Sequence, residues 1–217
     1  NLPEYTEDML ISGGLEADFE AQRPIVEDVA ARLSAANMAE LRSPAGTLVA
    51  LGLEGRKGNA SVGMALNRGQ RCSPPIIEAA IAPVEGTAQG VLVVDGSIPA
   101  PGVGVVREPI RVTITEGRIT KVEDGEQAAN FRRILESMND PNAYMIAELG
   151  VGLNPCASIV GLMTEDEGAM GTVHLGIGSN FGMGGTIRAA LHLDMIVRDA
   201  TLLLDGVPIM ESGTLIH

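Results

Sequence analysis

Ile110-Arg111-Val112-Thr113-Ile114-Thr115-Glu116-Gly117-Arg118-Ile119-Thr120-Lys121-Val122-Glu123 is the stretch on which the fold class turns. Apolar and polar residues alternate on both sides of Glu116-Gly117, the spacing of two antiparallel strands joined by a tight turn. Leu202 to Ile209 folds the same way around Asp205-Gly206, and Leu41 to Leu53 alternates around Ser43-Pro44-Ala45-Gly46. Val91-Leu92-Val93-Val94 is a buried strand closed by Asp95-Gly96. Only two long stretches show helical spacing. Leu15 to Ala36 carries Phe19, Val26, Val29, Ala30 and Leu33 on one face, with a kink expected at Pro24, and Gly13-Gly14 divides it from a short helical start. Glu126 to Met138 aligns Phe131, Ile134, Leu135 and Met138. Short strands set off by turns, with 27 Gly and 12 Pro and no regular βαβ alternation, predict an α+β domain. Its expected core is a curved antiparallel or mixed sheet with flanking helices. Residues 1–37 read as an N-terminal helical segment and residues 38–217 as the α+β domain proper.

Two hundred and seventeen residues with 45% hydrophobic content are enough to bury a substantial core. Fifteen basic against 28 acidic residues leave a net charge of −13, and no basic stripe interrupts it, which argues against nucleic-acid binding. No apolar run is long enough for a membrane span, and the opening Asn1-Leu2-Pro3-Glu4-Tyr5 has neither the basic head nor the apolar run of a signal peptide. The absence of an initiating Met points to a processed or truncated chain. Cys72 and Cys156 stand apart, outside any CxxC pair, so a reducing, cytoplasmic setting is expected.

The chemistry concentrates on scarce residues. Histidine occurs at 174, 192 and 217 only. In a strand, His192 and Asp194 of His192-Leu193-Asp194 point to one face, so an imidazole and a carboxylate sit side by side as metal ligands or as a structural hydrogen-bonded pair. His174 lies among apolar neighbours, where a partner is needed. Glu148 interrupts Tyr144-Met145-Ile146-Ala147-Glu148-Leu149, and Glu78 interrupts Ile76-Ile77-Glu78-Ala79-Ala80-Ile81. Glutamate is seldom buried unpaired. Together these residues form a mixed N/O donor set suited to Zn, Co, Mn or Fe. Glu165-Asp166-Glu167 is either a solvated acidic turn or the source of a general base beside metal-bound water. Gly176 to Gly185 lacks the phosphate-binding patterns and reads as a mobile or tightly turning loop, and Gly150 to Pro155 as a strand-terminating turn.

In order, Ile146 to Pro155, Glu165-Asp166-Glu167 leading to Gly171-Thr172-Val173-His174-Leu175, and His192-Leu193-Asp194 resemble the metal-site half of the aminopeptidase T family. Glu78 to Ala88 is similar to the segment that carries that family's first glutamate ligand, and the likeness spans roughly residues 40 to 210. The resemblance implies two Zn, Co or Mn ions on Glu78, Glu148, His174, His192 and Asp194, with Glu167 as general base. It also implies a small peptide substrate cleaved at its N-terminal residue, a homodimer, and a further N-terminal α/β region of which residues 1–37 are a remnant. Where the family has a tyrosine after the first histidine, this chain has Phe181. The same fold family resembles dihydroxypyridine ring-cleaving dioxygenases, for which His174, His192 and Asp194 make a facial triad for one Fe(II). A third expectation is a non-catalytic fragment whose metal holds the fold together.

Overall fold

Glu116 and Gly117 both take positive φ, at 49° and 71°, and so do Asp205 and Gly206, at 48° and 83°. Positive φ at both central residues is what a two-residue hairpin turn of the strand's own twist requires. The computed structural model describes residues 5–70, 72–123 and 125–216; the opening Asn1 to Glu4 and the third histidine, His217, lie outside the described residues.

In chain order the strands are β1 (Met38–Arg42), β2 (Leu48–Gly52), β3 (Asn59–Ser61), β4 (Glu78–Ile81), β5 (Gln89–Val94), β6 (Ser97–Ile98), β7 (Gly104–Val105), β8 (Ile110–Thr115), β9 (Arg118–Val122), β10 (Ile146–Gly152), β11 (Val173–Gly178), β12 (His192–Val197), β13 (Thr201–Leu204), β14 (Val207–Glu211) and β15 (Thr214–Leu215). Helices are α1 (Glu7–Ile11), α2 (Phe19–Ala35), α3 (Glu126–Ser137) and α4 (Met163–Asp166). Eight strands form one sheet in the order β15-β14-β13-β1-β2-β5-β8-β9, five form a second in the order β12-β11-β10-β4-β3, and β6 pairs with β7. Neighbours within each sheet run antiparallel. The fold is α+β, as the alternation and turns predict.

The long helix begins at Phe19, later than the periodicity predicts, because the Asp18 side chain caps the Ala21 amide and Gly13–Glu16 forms a separate 3-10 turn. It runs on through Pro24. Its buried Val26, Val29, Ala30 and Leu33 join the apolar residues of both sheets and of α3 in one core.

The five-stranded sheet is two-faced. Ala79, Ile81, Leu149, Val151, Val173, Leu175, Ile177, Leu193, Met195 and Val197 all belong to the common core. These alternate positions put one face of β4, β10, β11 and β12 into the apolar interior. The intervening positions face the other way, and they carry the charged residues.

Candidate metal centre

Antiparallel register places every expected ligand on that second face. Glu78 pairs with Gly152, His174 with Gly150, Glu148 and Asp194 both with Gly176, and His192 with Gly178. Residues directly opposite in neighbouring strands share a face, so each donor has a glycine on one side, while Ile196 stands opposite His174 and Ser61 opposite Glu78 on the other. The space is needed at two points. A Cβ on Gly150 would stand 2.0 Å from His174 Nε2, and one on Gly176 would stand 2.9 Å from Asp194 Oδ1 and 2.8 Å from Glu148 Cβ.

The donors meet closely. His192 Nε2 lies 2.8 Å from Glu148 Oε2 and 3.4 Å from Asp194 Oδ1, and His174 Nε2 lies 3.5 Å from Glu78 Oε2 and 4.0 Å from Glu148 Oε1. Two groups with metal-ligand spacing result, Glu78–Glu148–His174 and Glu148–His192–Asp194, with Glu148 common to both. Around His192 and Asp194 the third donor is thus Glu148, while His174 groups with the two glutamates.

Glu78, Glu148, His174 and Asp194 are buried. Glu78 Oε2, both ring nitrogens of His174 and both carboxylate oxygens of Asp194 are buried without a hydrogen-bond partner among the described residues. Leaving so many polar atoms unpaired is costly unless something else satisfies them. Burial, then the neighbouring Glu148 and Asp194, pushes the Glu78 carboxyl well above the usual carboxylate range. The Glu167 carboxyl is also pushed well above that range, by burial and then by Glu78, Asp194 and Glu148. Burial opposes a charge on His192, yet Asp194 and Glu148 beside it push its pKa up to about 12. Burial likewise works against the Asp194 carboxylate, but the adjacent His174 and His192 hold its pKa below the ordinary value. An excess of carboxyl groups over cations in a buried site is suited to a positive ion, and the N/O donors suit a first-row divalent metal. The residues present fit one.

His192 is the half-exposed member of the set. Its Nδ1 stands 2.9 Å from the Ser179 carbonyl oxygen. Donation from Nδ1–H to that oxygen leaves Nε2 as the nitrogen that faces the carboxylates, the arrangement found where a histidine binds metal.

Two local expectations need correction. Gly150 and Gly152 are not in a turn: they belong to β10, and Gly176 and Gly178 belong to β11. Locally a glycine signals a break in a strand, and only the cross-strand register reveals that its missing side chain makes room. Glu-x-Gly-x-Gly at 148–152 and His-x-Gly-x-Gly at 174–178 carry that signal as a period of two. The 179–191 connection takes the tightly turning form of the two expected for it. Asn180 is fully buried, its Oδ1 accepts from the Ile187 amide at 2.8 Å, and the Arg188 guanidinium stacks 3.2 Å over the Phe181 ring. Finally, Glu165 and Asp166 are buried rather than solvated. Glu165 accepts from the Gly14 amide at 2.9 Å, and Asp166 accepts from the Val160 and Gly161 amides and the Ser97 hydroxyl. They hold loops in place, and of the three acidic neighbours only Glu167 faces the cluster. Ser61, whose hydroxyl donates to Glu78 Oε1 at 3.4 Å, had no sequence signal.

No helix among the described residues is long and apolar enough to cross a membrane. Cys72 and Cys156 carry free thiols.

Comparison with known proteins narrows the family. A curated 2,5-dihydroxypyridine 5,6-dioxygenase from Pseudomonas putida is 31% identical over 144 residues, which cover 62% of this chain and 41% of that protein. The solved structure of 2,5-dihydroxypyridine dioxygenase from Pseudomonas putida KT2440 superposes with a TM-score of 0.81 at 26% identity, over 92% of this chain and 60% of that one. AmpT from Thermus thermophilus superposes with a TM-score of 0.73 at 21% identity, over 92% of this chain and 55% of that one, a likeness of fold. The chain therefore spans less than two thirds of the length of each of these relatives. Sequence similarity thus favours the dioxygenase alternative over the aminopeptidase reading. With the 2,5-dihydroxypyridine 5,6-dioxygenase (NicX) family model matching residues 16–217, nearly the whole chain, this protein belongs to that family.

Proposed function

We propose that this protein is a metal-dependent ring-cleaving dioxygenase whose small-molecule substrate is a hydroxylated pyridine. The observation that carries the proposal is the coincidence of the dioxygenase family match over residues 16–217 with a buried cluster of unpartnered imidazole and carboxylate atoms. Glu148, His192 and Asp194 would hold a single ferrous ion, with Glu78 and His174 beside it. Bound there, such an ion supplies a Lewis-acidic, redox-active centre for a hydroxylated ring and dioxygen.

This chain's own residues do the rest. With Nδ1–H donating to the Ser179 carbonyl, Nε2 faces the cluster, and an ion bound there would take the place of the proton that Asp194 and Glu148 otherwise favour on that nitrogen. Gly150 and Gly176 keep His174 and Asp194 free of side-chain crowding. Glu167 is not one of the tightly grouped donors, and burial beside three other carboxyls raises its affinity for a proton. It is suited to take the proton from a ring hydroxyl and hold it near the reacting carbon. Ser61, on the edge strand, orients Glu78.

A hydrolase with two metals is the second reading, and the sharing of Glu148 between two donor groups favours it. Against it, Phe181 offers no phenol to a tetrahedral intermediate, and its half-exposed ring is engaged by Arg188. The two readings separate in one experiment. Purified protein is loaded anaerobically with Fe(II) and assayed for oxygen uptake with 2,5-dihydroxypyridine. In parallel it is loaded with Zn, Co or Mn and assayed with aminoacyl-nitroanilides. One equivalent of iron with substrate-dependent oxygen uptake is the expected result; two equivalents of metal with nitroaniline release and no oxygen uptake would replace the dioxygenase by the hydrolase.

A further inference from the structure

Glu85 lies seven residues beyond Glu78, in the connection that follows β4, and belongs to none of the donor groups. Its carboxylate is nonetheless heavily engaged. Oε1 accepts from the Thr186 amide at 2.8 Å, the Thr186 hydroxyl at 3.1 Å and Asn180 Nδ2 at 3.1 Å, while Oε2 pairs with Arg56. Arg56 in turn donates to the Gly184 carbonyl at 3.2 Å. Each of these partners except Arg56 lies in the connection between β11 and β12, which delivers His192.

That connection has a specific task at each end. The Ser179 amide donates to the Leu191 carbonyl at 2.8 Å, and the Ser179 carbonyl faces His192 Nδ1. Asn180, the next residue, is bound by its backbone and side chain to Ile187, and accepts at its carbonyl from the Met183 and Gly185 amides. A Cβ on Gly185 would stand 2.0 Å from Asn180 Cγ, so the turn is closed tightly around this side chain. Asn180 also donates to Glu85. The chain of contacts is therefore continuous from Arg56 and Glu85, through Asn180 and Thr186, to the carbonyl that orients the His192 ring.

We infer that Glu85, supported by Arg56, is a positioning residue for the metal centre: it fixes the 179–187 turn and thereby the Ser179 carbonyl that aims His192 Nε2 at Glu148 and Asp194. Apart from the acidic groups at Nε2, the Ser179 carbonyl is the hydrogen-bond partner given to the His192 ring among the described residues. A half-exposed imidazole held by one outer contact depends on where that contact is placed. The inference rests on the proposal that His192 binds metal, but not on which reaction the metal serves.

The test compares native protein with Glu85→Ala, Glu85→Gln, Arg56→Met and His192→Ala. Metal affinity is read from Co(II) titration by visible absorption, and the His192 Nδ1–H resonance is read by nitrogen-15 NMR of the zinc-loaded protein. Glu85→Ala should weaken metal binding by about 10- to 100-fold, the range for outer partners of metal-binding histidines, and should broaden or lose the Nδ1–H signal. Glu85→Gln keeps an oxygen acceptor for Thr186 and Asn180, and should recover most of the affinity and the signal. Arg56→Met, a change at the rim, should weaken binding several-fold, and it serves as the test if Glu85→Ala does not fold. Unchanged affinity and an intact Nδ1–H signal in folded Glu85→Ala or Arg56→Met would overturn the inference. Equal loss in Glu85→Gln and Glu85→Ala would overturn it as well. If instead His192→Ala binds Co(II) as native protein does, the proposed metal centre fails, a different outcome from failure of the positioning role.

Discussion

The two large sheets are both antiparallel, yet they use their side chains differently. In the eight-stranded sheet, β8 alternates Ile110, Val112 and Ile114 inward with Arg111, Thr113 and Thr115 outward, and its hairpin partner β9 buries Ile119 and Val122 on either side of a register shift. Every inward position packs. The five-stranded sheet sends alternate residues into the same core, but its other face is also buried and holds glycines, imidazoles and carboxyls. Glycine in a strand interior weakens it, and each unpaired buried polar atom weakens it further. One sheet is arranged for stability, while the other leaves buried polar atoms unsatisfied, as the proposed metal site requires.

Substitution can break this contrast in either direction. Leu92→Ala, at a fully buried position of the eight-stranded sheet, should lower unfolding free energy by about 2–5 kcal/mol in urea titration while leaving metal stoichiometry unchanged. A loss of metal by this variant would show that the sheets are not independent. His192→Ala should do the reverse, weakening Co(II) binding by more than about 100-fold with a small effect on metal-free stability. For the native protein, a metal ion at about 100 times its dissociation constant should add about 2.7 kcal/mol to the unfolding free energy, and His192→Ala should lose most of this increment in thermal melts.

Gly150→Ala sharpens the comparison, because alanine is the smallest change that fills the cradle. Its Cβ meets the His174 ring at 2.0 Å, so the variant should cost about 1–3 kcal/mol and weaken metal binding through displacement of that ring. The same substitution at Gly55, where a Cβ would have open space but φ is 74°, costs backbone strain alone and should leave metal affinity intact. The smallest effect concerns pH. Burial alone would raise the Glu85 pKa, but donation from the Thr186 amide, Arg56 and Asn180 brings it from the ordinary 4.5 to about 2. A carboxyl depressed in the folded state stabilises fully above its unfolded pKa and loses that contribution as pH falls through the folded one. The stability difference between native protein and Glu85→Gln should therefore be constant above pH about 4.5 and shrink toward pH about 2. A difference that instead grew on acidification would reverse the sign of this contribution.

Much of the site was legible because its residues are out of place locally. Glu78 and Glu148 stand in apolar runs, and His192-x-Asp194 has the period of a strand. The cradle was not legible, since Gly150 and Gly176 have the composition of a turn when read along the chain and become spacers only across it. Glu165 and Asp166 show the same limit: an acidic run has no local reason to be buried, and the amides that satisfy it come from Gly14, Val160 and Gly161. Glu85 carried no signal because its partners lie far along the chain, Arg56 at 29 residues and Asn180 and Thr186 at 95 and 101.

What the amino-acid sequence determined by itself was whatever depends on neighbours within a few positions. That includes the hairpins at Glu116-Gly117 and Asp205-Gly206, the existence of the two long helices, and the glutamate, histidine and aspartate residues that are candidate donors. Backbone dihedral preference and side-chain period act at that range. The division into two sheets, the pairing of β1 with β13, and the placement of each donor opposite a glycine were decided only in the tertiary structure. They depend on cross-strand register, which the common core sets by burying one face of the five-stranded sheet and so turning the donors together onto the other.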